Sequence, residues 1–444
     1  MTQAEPHVFS AENIHVVCIS PFSYGSFAGR AGLIDGPRGI FTPPTPHSLN
    51  IISYRRQTFS PELEWRDSVR FFSIDLPVIA ICCRGLAYKC VNCDLLLTVY
   101  PDLVCTLQVH IEFEGSIAGV RNIVEIIKYL REASSPCPSD SDWIRCQFNS
   151  GIVDFPNFHS LAKFIREKFK TAYYLSSNLP AAVSFVFPIF YCGLVHGCKT
   201  ADELIARHRT DIAGILNLWP NNYDLQSQAE VESSTRVNFH PMVYGASYIS
   251  SAGFFEFHPE NVTEIVKRDG TSLSEHHFRE IYYAAAICEI AVAKYFALRV
   301  CDDILDKKFS STRISFVYVL NPFLSLFRAL DVLQFERHIT MLLSHIRSLG
   351  LTRKPYTREI LTSLDEQFDT VTLQDRVTQK VVGINRILTS TFQSVIATTT
   401  LIVAMVAIFL TVLQIVGFGG DKPPAGQTAP AAVHQTASPH PQGR

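Results

Sequence analysis

The sequence has no excess of charge of either sign: 39 Lys and Arg stand against 41 Asp and Glu, for a net charge of −2, and the two signs are interspersed. That balance excludes a phosphate-tracking surface and, with it, nucleic acid as a partner. The opening MTQAEPHVFSAENIHVVC lacks a basic stretch followed by an apolar core. No secretory signal is expected there, and the bulk of the chain is expected in the cytosol. The 12 Cys follow no regular spacing, which in a chain of this size favours free, mostly buried thiols in a reducing compartment over a disulfide framework. There is no internal repeat. Also missing are the Lys-Ser/Thr of a phosphate-binding loop, a His-Glu-x-x-His helix, a nucleophile elbow and a paired-carboxylate motif. The expectation is a protein that is not an enzyme, with its cofactors unknown.

What is present is apolar. The hydrophobic fraction is 47% and there are 31 Phe in 444 residues, enough for a large core and for two or three domains. No charge occurs between Arg386 and Asp421, and that gap contains TFQSVIATTTLIVAMVAIFLTVLQIVGFGG. Such a stretch is long enough for the roughly 20 apolar residues that cross a bilayer. Arg376, Lys380 and Arg386 precede it closely, whereas Lys422 is the one basic residue shortly after it. The positive-inside rule therefore expects the N-terminal bulk in the cytoplasm, where the sequon Asn261-Val262-Thr263 stays unused.

Along the chain, residues 1–48 read as a leading strand and an irregular, Pro-broken connection. Residues 49–273 read as an α/β-layered cytosolic domain: RFFSI, VIAICCRG, LAYKCVN, DLLLTVY and LVCTLQVHIEFEG are strand-like. The segments after Ser116 and Asn157 place apolar residues at helical spacing. Pro180 to Val195, an apolar run containing Pro188, suits buried strands better than a second crossing. A helical stalk region follows at 274–394, in pieces of about 274–308, 316–350 and 354–418, the last continuing into a transmembrane helix at 395–418. The tail, 419–444, is Pro/Ala/Gln-rich and reads as disordered. The fold class is thus α+β with long helices and one C-terminal transmembrane helix. A helix of 354–418 would be roughly 95 Å long, and its cytosolic part has to pack on its own domain or, as in a coiled coil, on copies of itself.

The polar residues of the span fall on one seam. Gln393, Ala397, Thr400, Ala404, Ala407, Thr411, Gln414 and Phe418 follow alternating spacings of four and three, and all but Phe418 are small or polar. A seam of this kind lets helices approach and hydrogen-bond, lines a water-filled path, or arises by chance. Val377, Val381, Ile384, Leu388, Phe392 and Val395 form an apolar stripe roughly opposite, while Asp375, Gln379, Arg386 and Thr389 continue the seam side.

Other motifs are weaker. Cys90 and Cys93 form half of a zinc site, but the adjacent Cys82 and Cys83 point to opposite faces of a strand, which favours buried thiols. His276 and Glu280 sit one helical turn apart, as a cation ligand pair or, more simply, as the start of a helix capped by Ser274. Gly25 to Gly32, GSFAGRAG, is Gly-rich without the spacing of a nucleotide fingerprint.

The order of elements from about residue 70 to 418, together with LTSTFQSVIATTTLIVAMVAIF and its Gln393 and Thr400 one heptad apart, resembles the CorA-type magnesium channel family. The resemblance implies a membrane-bound homo-oligomer handling a divalent cation, with the seam residues facing the axis. Where that family carries Gly-Met-Asn, this chain has VGFGG, so selectivity for hydrated magnesium is not implied. The alternative is a tail-anchored interaction or signalling protein whose soluble domain binds a partner or ligand.

Overall fold

The computed structural model of the chain describes residues 9–23, 36–59, 69–100, 104–131, 142–148, 151–175, 185–218, 245–250, 253–268, 270–311, 337, 340, 343–344, 352 and 354–417. Its centre is a mixed sheet of β1 (Ser10–Ser23), β2 (Phe41–Thr42), β3 (Arg70–Ile74), β4 (Val78–Cys83), β5 (Leu86–Val99), β6 (Val104–Phe113), β7 (Ile117–Ala118), β8 (Trp143–Phe148), β9 (Gly151–Phe155), β10 (Phe187–Val195), β11 (Ala246–Ser250) and β12 (Gly253–Pro259). The strands run in the order β11-β12-β10-β1-β6-β5-β4-β8-β9, with β3 on β5, β2 on β3 and β7 on β1. Neighbours are antiparallel except β10 and β12. Arg84 and Gly85 turn β4 into β5 with both φ angles positive, 49° and 77°, the conformation that tight hairpins require.

Each of the three central strands sends alternate residues to opposite faces. Ile14, Val16 and Cys18 of β1, Cys105, Leu107, Val109 and Ile111 of β6, and Phe190 and Cys192 of β10 join one core. It is closed by α2 (Val120–Arg131), α3 (Phe158–Ala172) and α4 (Ala201–Asn217), whose apolar stripes include Ile123, Ile127, Leu161, Ile165, Leu204 and Ile215. The other face carries Val17, Ile19, Ile189 and Tyr191. It is covered by α1 (Pro46–Thr58), α6 (Leu273–Ser311) and α7 (Pro355–Gln367), with α5 (Val262–Arg268) before α6. From Ile281 to Ala293 every residue of α6 is buried, so this helix is a central element rather than a surface one.

Several sequence expectations change here. The leading strand expected within residues 1–48 is β1, which pairs with both β6 and β10, while α1 crosses the expected boundary at 48/49. The helices from 274 to 386 form no separate stalk region. Residues 1–313 and 331–386 make one compact unit, and 314–330 with 387–444 make the other. Phe187–Val195 of the apolar run form the buried strand β10, as expected. The expected helix 354–418 is broken: α7 ends at Gln367 and α8 (Thr370–Gly417) begins after Asp369, whose φ is 51°. The N-cap of α6 is Ser272, whose hydroxyl accepts from the Glu275 N–H at 3.1 Å, rather than Ser274. The expected helix over 316–350, the segment Gly25 to Gly32 and the tail lie outside the described residues, apart from four helical positions between 337 and 344.

The first turns of α8 pack on the domain. Leu373, Val377 and Val381 are buried, and Lys380 Nζ reaches Asp302 at 2.7 Å and Asp306 at 2.6 Å on α6. Lys294 of α6 meets Asp365 of α7 at 2.6 Å. Thr357 of α7 bonds the Tyr283 hydroxyl. These links fix both C-terminal helices to α6. Asp302 is buried, so removing its nearer cation leaves a poorly solvated carboxylate with Arg376 at 3.6 Å as its remaining cation among the described residues. Lys380→Ala is expected to lower unfolding free energy by about 1–3 kcal/mol and to raise amide exchange across 370–386 while the sheet stays protected. Chemical denaturation followed by exchange mass spectrometry checks both.

Candidate functional site

On the face of β6 under α6 stand Thr106, Gln108, His110 and Glu112, alternating with the apolar residues of the other face. Polar residues at every second position of a strand ordinarily mark a solvent face. Here Thr106, Gln108 and His110 are buried, because α6 lies across them and brings a carboxylate of its own.

Glu289, fully buried on α6, accepts from four donors. Arg55 Nη1 of α1 donates to Oε2 at 2.8 Å, Gln108 Nε2 to Oε2 at 2.6 Å, the Tyr100 hydroxyl to Oε1 at 3.2 Å, and the Thr106 hydroxyl to Oε1. Arg55 also donates to the Tyr100 hydroxyl and, at 3.5 Å, to that of Thr98. Burial works against the Arg55 charge, but Glu289 and Tyr100 outweigh it and hold the guanidinium above its ordinary pKa. Burial pushes the Tyr100 phenol up. The result is a closed ion pair whose lone pairs are occupied, the arrangement in which a buried charge is tolerated.

Beside it lies a layer of imidazoles. His15 of β1 and His110 of β6 approach at 3.2 Å between Nδ1 and Nε2. His258 of β12 bonds Glu256 at 2.8 Å, and His276 and His277 come down from the first turn of α6. Tyr191 of β10 sits among them, its ring 4.8 Å from His258, 5.3 Å from His277 and 5.9 Å from His15. Burial first, then the neighbouring His110 and His277, holds His15 well below its ordinary pKa. Burial, with His258 and His276, lowers His277 to about 3 against the opposing pull of Glu256 and a bond with Gly193. Both are neutral at physiological pH. Among the described residues no group of three His, Cys, Asp or Glu side chains is disposed to hold a metal ion.

The sequence-derived seam falls elsewhere. Gln393, Ala397, Thr400, Ala404, Ala407, Thr411 and Gln414 all lie on α8 and are exposed; Phe418 is outside the described residues. The hydroxyls of Thr400 and Thr411 donate to the carbonyls of Ile396 and Ala407, each at 2.8 Å. Ile396–Val416 is one helical stretch of 21 residues, long and apolar enough to cross a membrane, with a mean hydropathy of 2.5 and none of its most apolar window buried. His276 stands in the imidazole layer. Cys82 and Cys83 are buried, and burial pushes the Cys83, Cys90 and Cys146 thiols up to about 12, so all three are protonated at neutral pH.

Reading for motifs missed Glu289 and its donors. The signal was available: a single acid in AAAICEIAVA, an otherwise apolar helical run, requires a buried partner.

Arg55→Met leaves Glu289 desolvated without its cation and is expected to cost about 3–5 kcal/mol. The double variant Arg55→Met/Glu289→Leu is expected to cost less than the sum of the singles, a coupling that a double-mutant cycle in denaturant measures. No protein-family model, no curated protein and no solved structure matches this chain.

Proposed function

We propose that the protein is a single-pass membrane protein, tail-anchored by the C-terminal part of α8 with its α+β domain on the cytosolic side, and that copies assemble through the Gln/Thr/Ala seam as a homo-oligomer. One observation carries this reading. Leu401, Val403, Met405, Val406, Ile408, Phe409, Leu410, Leu413, Ile415 and Val416 are each at least half exposed on one helix, a contiguous apolar surface larger than water tolerates on a folded protein. Its 21 residues match the thickness of a hydrocarbon core. The basic residues Arg376, Lys380 and Arg386 on the near side support the cytosolic placement of the domain.

Self-association draws support from where the first turns of α8 bury their apolar side. Leu373, Val377 and Val381 are buried on their own domain, so they are not free to zip copies together. Val371, Asp375, Gln379, Val382 and Arg386 are exposed and, counted in threes and fours along the sequence, lead into Gln393 and Thr400. In the CorA-like form of the reading, this polar side surrounds an axis and serves as a path or sensor for a cation. The alternative keeps the anchor and the seam but makes the seam dry, with the domain binding a partner. The Thr400 and Thr411 hydroxyls favour it, because each is satisfied by its own helix without water.

The mass of the full chain in detergent tests assembly: an oligomer is expected, and a monomer excludes both the seam contact and a path built from one helix per chain. Gln393→Leu/Thr400→Leu is expected to lower the oligomer fraction if the seam is the contact. In liposomes, cation flux that the same variant abolishes supports the path. Absent flux from an intact oligomer supports the dry seam.

A further inference from the structure

We propose that the imidazole layer beneath the start of α6 is a proton-responsive joint. At neutral pH it docks the first turns of the helix on the sheet, and on acidification it charges and releases them. This goes beyond the membrane reading and does not rest on it.

The geometry is particular. Among the 15 His of the chain, those at 15, 110, 258 and 277 are all at most 5% exposed. They come from separate strands and from the helix that covers them. The rings of His258, His276 and His277 form a triangle with centroids 6.0, 6.1 and 6.4 Å apart. Phe278 and Tyr282, on the same turns of α6, seal the His15/His110 pair at 5.6–5.8 Å. His277 Nε2 and the Tyr191 hydroxyl, both buried, have no hydrogen-bond partner among the described residues. The layer is therefore packed ring on ring, and at His277 and Tyr191 it holds polar atoms that no described residue meets.

Among the described residues, the charged groups that face it are these. Glu256 on β12 touches His258, and Glu280 on α6 acts on Tyr191. Asp94 of β5 and Glu112 of β6 act on Tyr282 at the edge. Arg55 of α1 is engaged by Glu289, and Glu264, Lys267 and Arg268 of α5 are exposed. Among the described residues, the fully buried carboxylate of Glu256 stands against several imidazoles. Protons added to several of these imidazoles repel one another at such distances in a medium of low dielectric.

The sign follows from linkage. An imidazole held below its ordinary pKa near 6.5 binds more protons once it is exposed. Its contribution to docking is complete above that value and is lost as pH falls below it. For each such group, the opening equilibrium rises about tenfold by roughly one pH unit below 6.5. His15 and His277 both behave this way. Release stops short of Glu289, because its four hydrogen bonds to Arg55, Gln108, Tyr100 and Thr106 pin the middle of α6.

Amide exchange of the full chain in detergent, corrected for the intrinsic pH dependence, tests this at about pH 7.4 and about pH 5.5. Residues 271–282 are expected to lose protection by at least about tenfold at the lower pH while 284–300 keep theirs. His15→Phe/His110→Phe is expected to blunt that loss, and His277→Gln, kept as a second variant, to do the same if the aromatic pair fails to fold. Unchanged protection of 271–282 in the wild-type chain overturns the proposal, as does an equal loss over the whole domain. Folded variants that still open as the wild type does overturn it too.

Discussion

A carboxylate without water determines how this domain is closed. Glu289 sits at the midpoint of an apolar helix, and a single uncompensated charge there would cost several kcal/mol. Its four donors come from α1, from β6 and from Tyr100 after β5, so the helix can lie on the sheet in only one register that satisfies all of them. Because α6 occupies that register, the polar side of β6 is interior, the histidines of β1 and β6 are brought under the helix start, and α7 and α8 find their docking surface on the far side.

The sheet consequently has two different faces. One is an ordinary apolar core with amphipathic helices, in which α2, α3 and α4 bury residues at helical spacing. The other mixes aliphatic contacts with a chain of buried polar groups, from Thr98 through Glu289 to His110 and His258. Polar cores of this kind are stable when every member is satisfied. At the Glu289 end the carboxylate itself is met by four donors, while Gln108 Oε1 there and polar atoms of Tyr191 and His277 at the histidine end have no partner among the described residues.

At the C-terminal side, α8 has two environments in one helix. Up to Val381 its apolar side belongs to the domain through Leu373 and Val377, with Lys380 held between Asp302 and Asp306. From Ile396 to Val416 its apolar residues are exposed. The break at Asp369 lets α7 and α8 each follow its own line over α6, which one straight rod could not do.

Much of this was legible in the amino-acid sequence by itself. The strands from Arg70 to Phe113, the helices at Val120 and Phe158 and the apolar stretch at Ile396 follow from side-chain periodicity and composition, which act locally. The buried strand at Phe187 followed from its Pro and its β-branched and aromatic residues. Tertiary structure alone decided the rest. The alternation in TLQVHIEF marks two faces but cannot say that a helix some 180 residues later covers the polar one. The central place of β1 depends on partners at 104–113 and 187–195. The left-handed turn at Asp369 exists because α7 and α8 both have to reach α6. Local propensity sets which elements form; desolvation of Glu289, a cost shared among residues far apart in the chain, sets where they go.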